Sequence, residues 1–448
     1  MHLKEVYRFE NRLAEKNGHR CWEMDRLWQN VLAGLKACKD AGCTPETVGI
    51  DTWAVDFVLL DAAGEILGDT VAYRDSRTEG VRQALEPVLP FAEHYARTGI
   101  QYQPFNTAYQ LAALKKEHPD RLAAAKTFLM VPDYLNYKLT GVAANEYTNA
   151  STTALVGAAS RDWDDELIAR LGLPRGIFQS ICRPGTVLGC LTPEVQAEVG
   201  FDCTVVLPAT HDTGSAWLAV PARDDRAVYL SSGTWSLLGV ENTVPITSAA
   251  SAAANFTNEG GYGGTYRYLK NIMGLWMIQS VRRELGEHAP NGTRPAFPEL
   301  IAAAKEASGY PGLVNADDDR FLAPNSMIGE ITAACAEAGY PAPATTGEVM
   351  QAIYNSLADD YRRAIAALQS LTGKTYESVN IVGGGSQDGY LNQMAANVTG
   401  LPVYAGPTEG TALGNLIVQF IAAGEYADLQ AARDAIKQSF TIQEVLPQ

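Results

Sequence analysis

Apolar and polar positions alternate with two different periods along the 448-residue chain. Residues 6–9 read as a short strand, and 27–38 as a helix with Leu27, Val31, Leu32 and Leu35 on one face. Residues 47–51 and 53–60 are β runs. Gly64 falls in a turn after Leu60, so 54–60 and 65–72 are expected to pair as a hairpin. Helical periods follow at 81–88, 104–116 and 119–128. The second half repeats the alternation, with strands at 205–209, 227–232 and 379–382. A long helix is expected over 350–371, with Ile353, Leu357, Tyr361, Ile365 and Leu368 in line. Strands interleaved with helices indicate α/β layers. Each half is domain-sized, roughly 220 residues. The break is placed in the polar, turn-forming run Pro221-Ala222-Arg223-Asp224-Asp225, giving expected domains 1–220 and 221–448.

Composition narrows the class. Hydrophobic residues at 46% and charged residues at 19% fit a folded globular enzyme. The net charge is −16, from 35 Lys and Arg against 51 Asp and Glu, which argues against a nucleic-acid face and against anionic membrane surfaces. Seven cysteines without a Cys-x-x-Cys argue against a metal cluster or a disulfide scaffold. No run approaches 18 apolar residues, and Met1-His2-Leu3-Lys4-Glu5-Val6 has no apolar signal core, so a cytoplasmic protein is expected.

Four places carry candidate chemistry. Val205-Val206-Leu207-Pro208-Ala209 delivers Thr210-His211-Asp212-Thr213 to the carboxyl end of a strand, where α/β sheets collect ligands. Asp212 there can take a proton from a substrate hydroxyl, or simply cap the next helix. Ser231-Ser232-Gly233-Thr234 ends another strand with hydroxyls and N–H groups suited to phosphate, or forms an ordinary turn. Gly383-Gly384-Gly385-Ser386-Gln387 lies between a strand and a helix from about Tyr390, the geometry that brings backbone close to a nucleotide. It is neither a P-loop nor a Gly-x-Gly-x-x-Gly fingerprint, and packing alone is a poor reason for three glycines. Finally, Asp51 and Asp56 interrupt apolar runs, and Asp75 lies between Arg74 and Arg77. These groups suit a polyol, or a buried ion pair. Asn258-Glu259 and Asn271 add polar groups. The other five histidines, His94 among them, read as surface residues, and Asp317-Asp318-Asp319 as a solvated turn rather than a calcium loop.

Taken in order, these segments resemble the FGGY family of carbohydrate kinases, nearest its members acting on L-rhamnulose. The likeness rests on Asp51-Thr52-Trp53-Ala54-Val55-Asp56-Phe57, Ala72-Tyr73-Arg74-Asp75-Ser76-Arg77, Gly99-Ile100-Gln101 and Glu146-Tyr147-Thr148-Asn149. It continues in His211-Asp212-Thr213, Ser231-Ser232-Gly233-Thr234-Trp235, Leu269-Lys270-Asn271-Ile272-Met273-Gly274-Leu275-Trp276 and the triple glycine. The resemblance implies two actin-like, ribonuclease-H-like ATPase domains with a cleft between them. It implies ATP and Mg²⁺ as cofactors, with no residue assigned to the metal, and a ketose and the nucleotide as small-molecule partners, with protein partners left open. It makes Asp212 the general base in phosphorylation of L-rhamnulose at O1. Ala54, His211, Thr213 and Asn271 match its sugar positions, and Thr234, Gln279 and Gly385 its ATP positions. Other ketoses, L-fuculose or xylulose, and sugar binding without turnover stay open. Two departures stand out: Ala54 replaces the usual Gly, and the chain enters at what reads as the family's third strand, residues 2–9. The first domain is therefore expected to lack its first two strands and their Asp-x-Gly-x-Ser/Thr loop.

Overall fold

The computed structural model describes residues 1–222, 224–290 and 292–448; Arg223, inside the expected break, lies outside the described residues. Two units form. The first gathers Met1–Ala219, Glu241–Tyr268 and Thr411–Ser439; the second Val220–Val240, Leu269–Gly410 and Phe440–Gln448.

In the first unit the expected strand over 6–9 is absent. Residues 1–12 form no helix or strand. Their aromatics instead dress a helix: Tyr7 Oη donates to Asn30 Oδ1, and Arg26 stacks over the Phe9 ring at 5.8 Å. The first strands are Leu13–Lys16 and His19–Trp22. Asn17 and Gly18 between them both have positive φ, 52° and 82°, as a two-residue hairpin turn demands. The helix Met24–Asp40 buries Leu27, Leu32 and Leu35 as its period requires.

The expected hairpin over 54–72 opens after its turn. Phe57–Leu60 is buried along its whole length and pairs antiparallel with Thr127–Met130. Thr70–Val71 joins His19–Trp22, leaving only a bridge from Leu60 to Ile66. Phe128, expected at a helix end, sits in that partner strand, because the helix Pro119–Ala124 stops before it. The short strand Thr204–Val206 runs between Thr47–Val48, parallel, and Val187–Cys190, antiparallel. Leu32, Leu35, Leu139, Val195 and Val205 pack together beneath it.

In the second unit Ala227–Ser232 pairs antiparallel with the strand beginning at Trp235, and parallel with Ser378–Val382. Val403–Ala405 adds in parallel, and Gln443–Val445 closes the edge antiparallel. The helix Thr346–Thr372 opens with a reciprocal Thr345–Glu348 cap and stops at Gly373. Ile353, Leu357, Tyr361, Ile365 and Leu368 are all buried along it. No helix among the described residues is long and apolar enough to cross a membrane.

Candidate active site

The strand Thr204–Val206 continues as extended chain to His211, and Asp212 opens the helix Asp212–Leu218. Thr52 pairs with His211 in parallel register: its N–H donates to Thr210 O at 3.0 Å, and Asp212 N–H donates to its carbonyl at 2.9 Å. Residues alternate faces along extended chain. Asp51 and Asp212 therefore lie toward one face, and Thr52 with His211 toward the other.

The Asp212 carboxyl is 46% exposed. Its Oδ1 accepts from Thr213 N at 2.6 Å and Thr213 Oγ1 at 3.2 Å, and His211 Nε2 stands 3.5 Å away. The segment behind it is anchored by Glu146, which is fully buried and accepts from Thr210 N and Thr210 Oγ1, both at 2.9 Å. Asn149 Nδ2 reaches both Trp53 O at 3.4 Å and Thr210 O at 3.3 Å, tying the two strand ends together. Burial, then the facing Glu146, push the Asp133 carboxyl well above the ordinary carboxylate range.

Ala54 lies in a three-residue turn. Asp56 N–H donates to Ala54 O at 2.9 Å, and Val55 takes φ 66°, rare for a β-branched residue. The Val55 carbonyl accepts from Thr107 Oγ1 and Gln110 Nε2, which hold the turn. Asp56, also fully buried, accepts from both Trp22 and Trp53 indoles, Tyr73 N and Gln110 Nε2. Asp75 Oδ1 pairs with His19 at 3.0 Å and accepts from the Arg77 N–H at 2.9 Å.

A polar stripe on the helix Gly410–Ala422 braces this site, and sequence reasoning missed it. Thr411 Oγ1 donates to Asp212 O at 3.3 Å; Asn415 Nδ2 donates to Asp51 Oδ2 at 2.5 Å and to Gly49 O at 3.1 Å. Gln419 Nε2 donates to Asn415 Oδ1, and Thr47 Oγ1 donates to Gln419 Oε1. The spacing of four, Thr411-Asn415-Gln419, is the only signal the sequence offered. Burial, and then the neighbouring Asp212 charge, push Asp51 up to about 7, against the pull of Asn415. The stripe can approach because Gly414 has no side chain: a Cβ there would stand 1.7 Å from Ser215 O.

The second unit brings the three expected ATP positions around one turn. Leu275 N and Trp276 N donate to Gly233 O and Thr234 O, so the helix Trp276–His288, carrying Gln279, starts on the Gly233–Thr234 turn. Gly385 abuts the same turn, and a Cβ on it would stand 1.9 Å from Ser232 Oγ. Packing against Ser232 is thus one reason for glycine here, contrary to the sequence reading. Asn271 lies in the strand Tyr266–Met273 beside Lys270, which pairs with Asp317 at 2.8 Å. His94 is buried rather than on the surface; its Nε2 meets Ala154 O at 2.6 Å. Among the described residues no group of three or more His, Cys, Asp or Glu is placed to hold a metal ion.

The FGGY family of carbohydrate kinases matches twice, its N-terminal domain over residues 5–219 and its C-terminal domain over 228–423. The chain belongs to this family. It is therefore a carbohydrate kinase, and its family uses ATP. A protein named rhamnulokinase from Halalkalibacterium halodurans is 49% identical over 440 residues, covering 98% of this chain and 92% of the relative. One from Oceanobacillus iheyensis is 48% identical, covering 99% and 92%. The fold matches a ligand-bound xylulose kinase from Lactobacillus acidophilus, with a TM-score of 0.77 at 17% identity over 98% of this chain and 88% of that one. Plasmodium falciparum glycerol kinase with ADP matches with a TM-score of 0.77 at 13% identity, again over 98% and 88%. These structures share the two-domain mixed α/β fold of FGGY kinases.

Proposed function

We propose that this carbohydrate kinase transfers the γ-phosphoryl group of ATP to O1 of L-rhamnulose, giving L-rhamnulose 1-phosphate and ADP. The observation that carries the reading is the near-full-length identity to proteins named rhamnulokinase. In this reading Asp212 is the general base. Its half-exposed carboxylate takes the proton of the C1 hydroxyl as O1 bonds to phosphorus and the bond from phosphorus to the ADP oxygen breaks. Phosphoryl transfer asks a protein mostly for positioning and charge. His211 and Thr213 orient the sugar and the base, with Ala54 and Asn271 as further sugar contacts. Thr234, Gln279 and Gly385 serve the nucleotide, so apart from Asn271 the sugar contacts fall in residues 1–220, and ATP falls largely to 221–448. When bound, Mg²⁺ would supply charge neutralisation for the transferring phosphoryl group; no side chain is assigned to it.

A coupled ADP-release assay over L-rhamnulose, L-fuculose and xylulose tests the substrate. L-Rhamnulose is expected to show the highest kcat/KM; a higher value for another ketose overturns that assignment. Asp212→Asn keeps the side chain's size but removes the proton acceptor. It is expected to fold and to lose roughly 10²–10⁴-fold in kcat. Retention of most of kcat would show that Asp212 is not the base.

A further inference from the structure

His211 is held from behind by a buried ion pair. Arg267, 1% exposed, places Nη2 3.0 Å from His211 Nδ1 and Nη1 3.2 Å from Glu259 Oε2, and its Nε donates to Gly260 O at 2.8 Å. Glu259 Oε2 is itself 3.3 Å from His211 Nδ1. A guanidinium nitrogen has only hydrogens to offer. It can sit 3.0 Å from Nδ1 only where that nitrogen presents a lone pair, so the proton of a neutral ring is on Nε2. That nitrogen is the one facing Asp212 Oδ1.

We propose that Arg267 and Glu259 are positioning residues that lock His211 as a neutral ring with its proton on Nε2, so that it presents a fixed donor beside Asp212. Arg267 supplies the hydrogen bond that fixes the tautomer, and its positive charge opposes a second proton on the ring. Glu259 neutralises Arg267 in its buried place and, with the Gly260 carbonyl, aims the guanidinium. The other carboxyls here are Asp212, 3.5 Å from Nε2, and Glu146, whose charge reaches Arg267. A doubly protonated ring would draw Asp212 toward a weaker base. The catalytic consequence rests on the reading of Asp212 as general base; the tautomer does not.

The test uses the full chain labelled with ¹⁵N-histidine. Six histidines give six ring systems, and His211→Gln assigns the one in question. The expected spectrum, recorded at about pH 7.5, shows His211 with a protonated Nε2 and a bare Nδ1. A protonated Nδ1 overturns the proposal.

Kinetics supply the second arm. Arg267→Met removes the donor and leaves the Glu259 carboxylate, which can only accept, 3.3 Å from Nδ1, so that nitrogen takes up a proton. The pH profile of kcat/KM is expected to acquire a new inflection, with activity depressed at low pH and recovering as the ring loses that proton at higher pH. Adding Glu259→Gln should remove the inflection, and Arg267→Lys, which keeps the charge, should largely restore the original profile. An Arg267→Met profile parallel to the parent overturns the proposal. Asp212→Asn run alongside separates the two ideas. Activity retained there refutes the base, whereas a wrong tautomer with an inactive Asp212→Asn refutes only the lock.

Discussion

Replacing Gly414 by alanine should loosen the brace on Asp212 while leaving every proposed site residue in place. The added Cβ would meet Ser215 O at 1.7 Å, Ser215 C at 2.4 Å and Ser215 Cα at 3.0 Å. All three are backbone atoms inside the helix Asp212–Leu218, so no side chain can swing aside. The helix Gly410–Ala422 must back off by more than an ångström. Overpacking of this kind costs about 1–3 kcal/mol. The retreat also stretches the Asn415–Asp51 and Thr411–Asp212 hydrogen bonds, now 2.5 and 3.3 Å. Losing a hydrogen bond to a charged group adds about 1.5–3 kcal/mol. The expected total is about 2.5–6 kcal/mol, a large part of the roughly 5–15 kcal/mol that a domain has. Urea unfolding read by tryptophan fluorescence measures it. Gly176→Ala, where an added Cβ meets nothing within 4 Å, serves as the control. A Gly414→Ala loss below about 1 kcal/mol, equal to the control, would refute the reasoning.

Gly385→Ala should raise the KM for ATP more than that for the ketose, because its Cβ would strike Ser232 Oγ at 1.9 Å; Ser232→Gly in the same chain should recover much of the loss. Equal shifts in both KM values, or no recovery, would move the nucleotide site away from this turn. Burial pushes the Asp56 carboxyl up to about 6, against the pull of four N–H donors. The folded protein then holds this proton more tightly than the unfolded chain, whose value is near 3.8. The stability it contributes is full below about pH 4 and is lost as pH rises through about 6, an effect of about 3 kcal/mol. Asp56→Asn should flatten that slope between urea midpoints at pH 4 and pH 7.5, and an unchanged slope would exclude Asp56 as its source.

What could be read in the chain beforehand was what repeats locally. The helix Met24–Asp40 announces itself by Leu27, Leu32 and Leu35, and Ala227–Ser232 by an apolar run ending in hydroxyls. Asp212 was legible because a strand visibly ends just before it. Residues 6–9 misled because a short apolar run says nothing about whether a partner strand exists. The 54–72 hairpin misled because Phe57–Leu60, buried on both faces, found its partner some 70 positions away. Arg267, Glu259 and Asn415 carry no local signature as site residues, since each acquires its role from groups distant in sequence. The triple glycine was read as a nucleotide loop when Gly385 also answers to the bulk of Ser232.

The helix that braces Asp212 is also among the last parts of the chain to be made. Thr411 follows Asp212 by 199 positions. At roughly 5–20 residues per second, a ribosome needs about 10–40 s to cover that distance. Throughout that interval the first 219 residues are already out, or emerging, without the segment that completes their unit. Asp51 waits without Asn415, and the Ser215 backbone waits uncovered. Closing so long a loop is slow, because its entropy is spent before the contacts form. Nascent chains stalled before residue 411 should therefore be cut readily by protease around the strand ends at Asp51 and Asp212, and should gain protection only once the Thr411–Ser439 segment clears the exit tunnel.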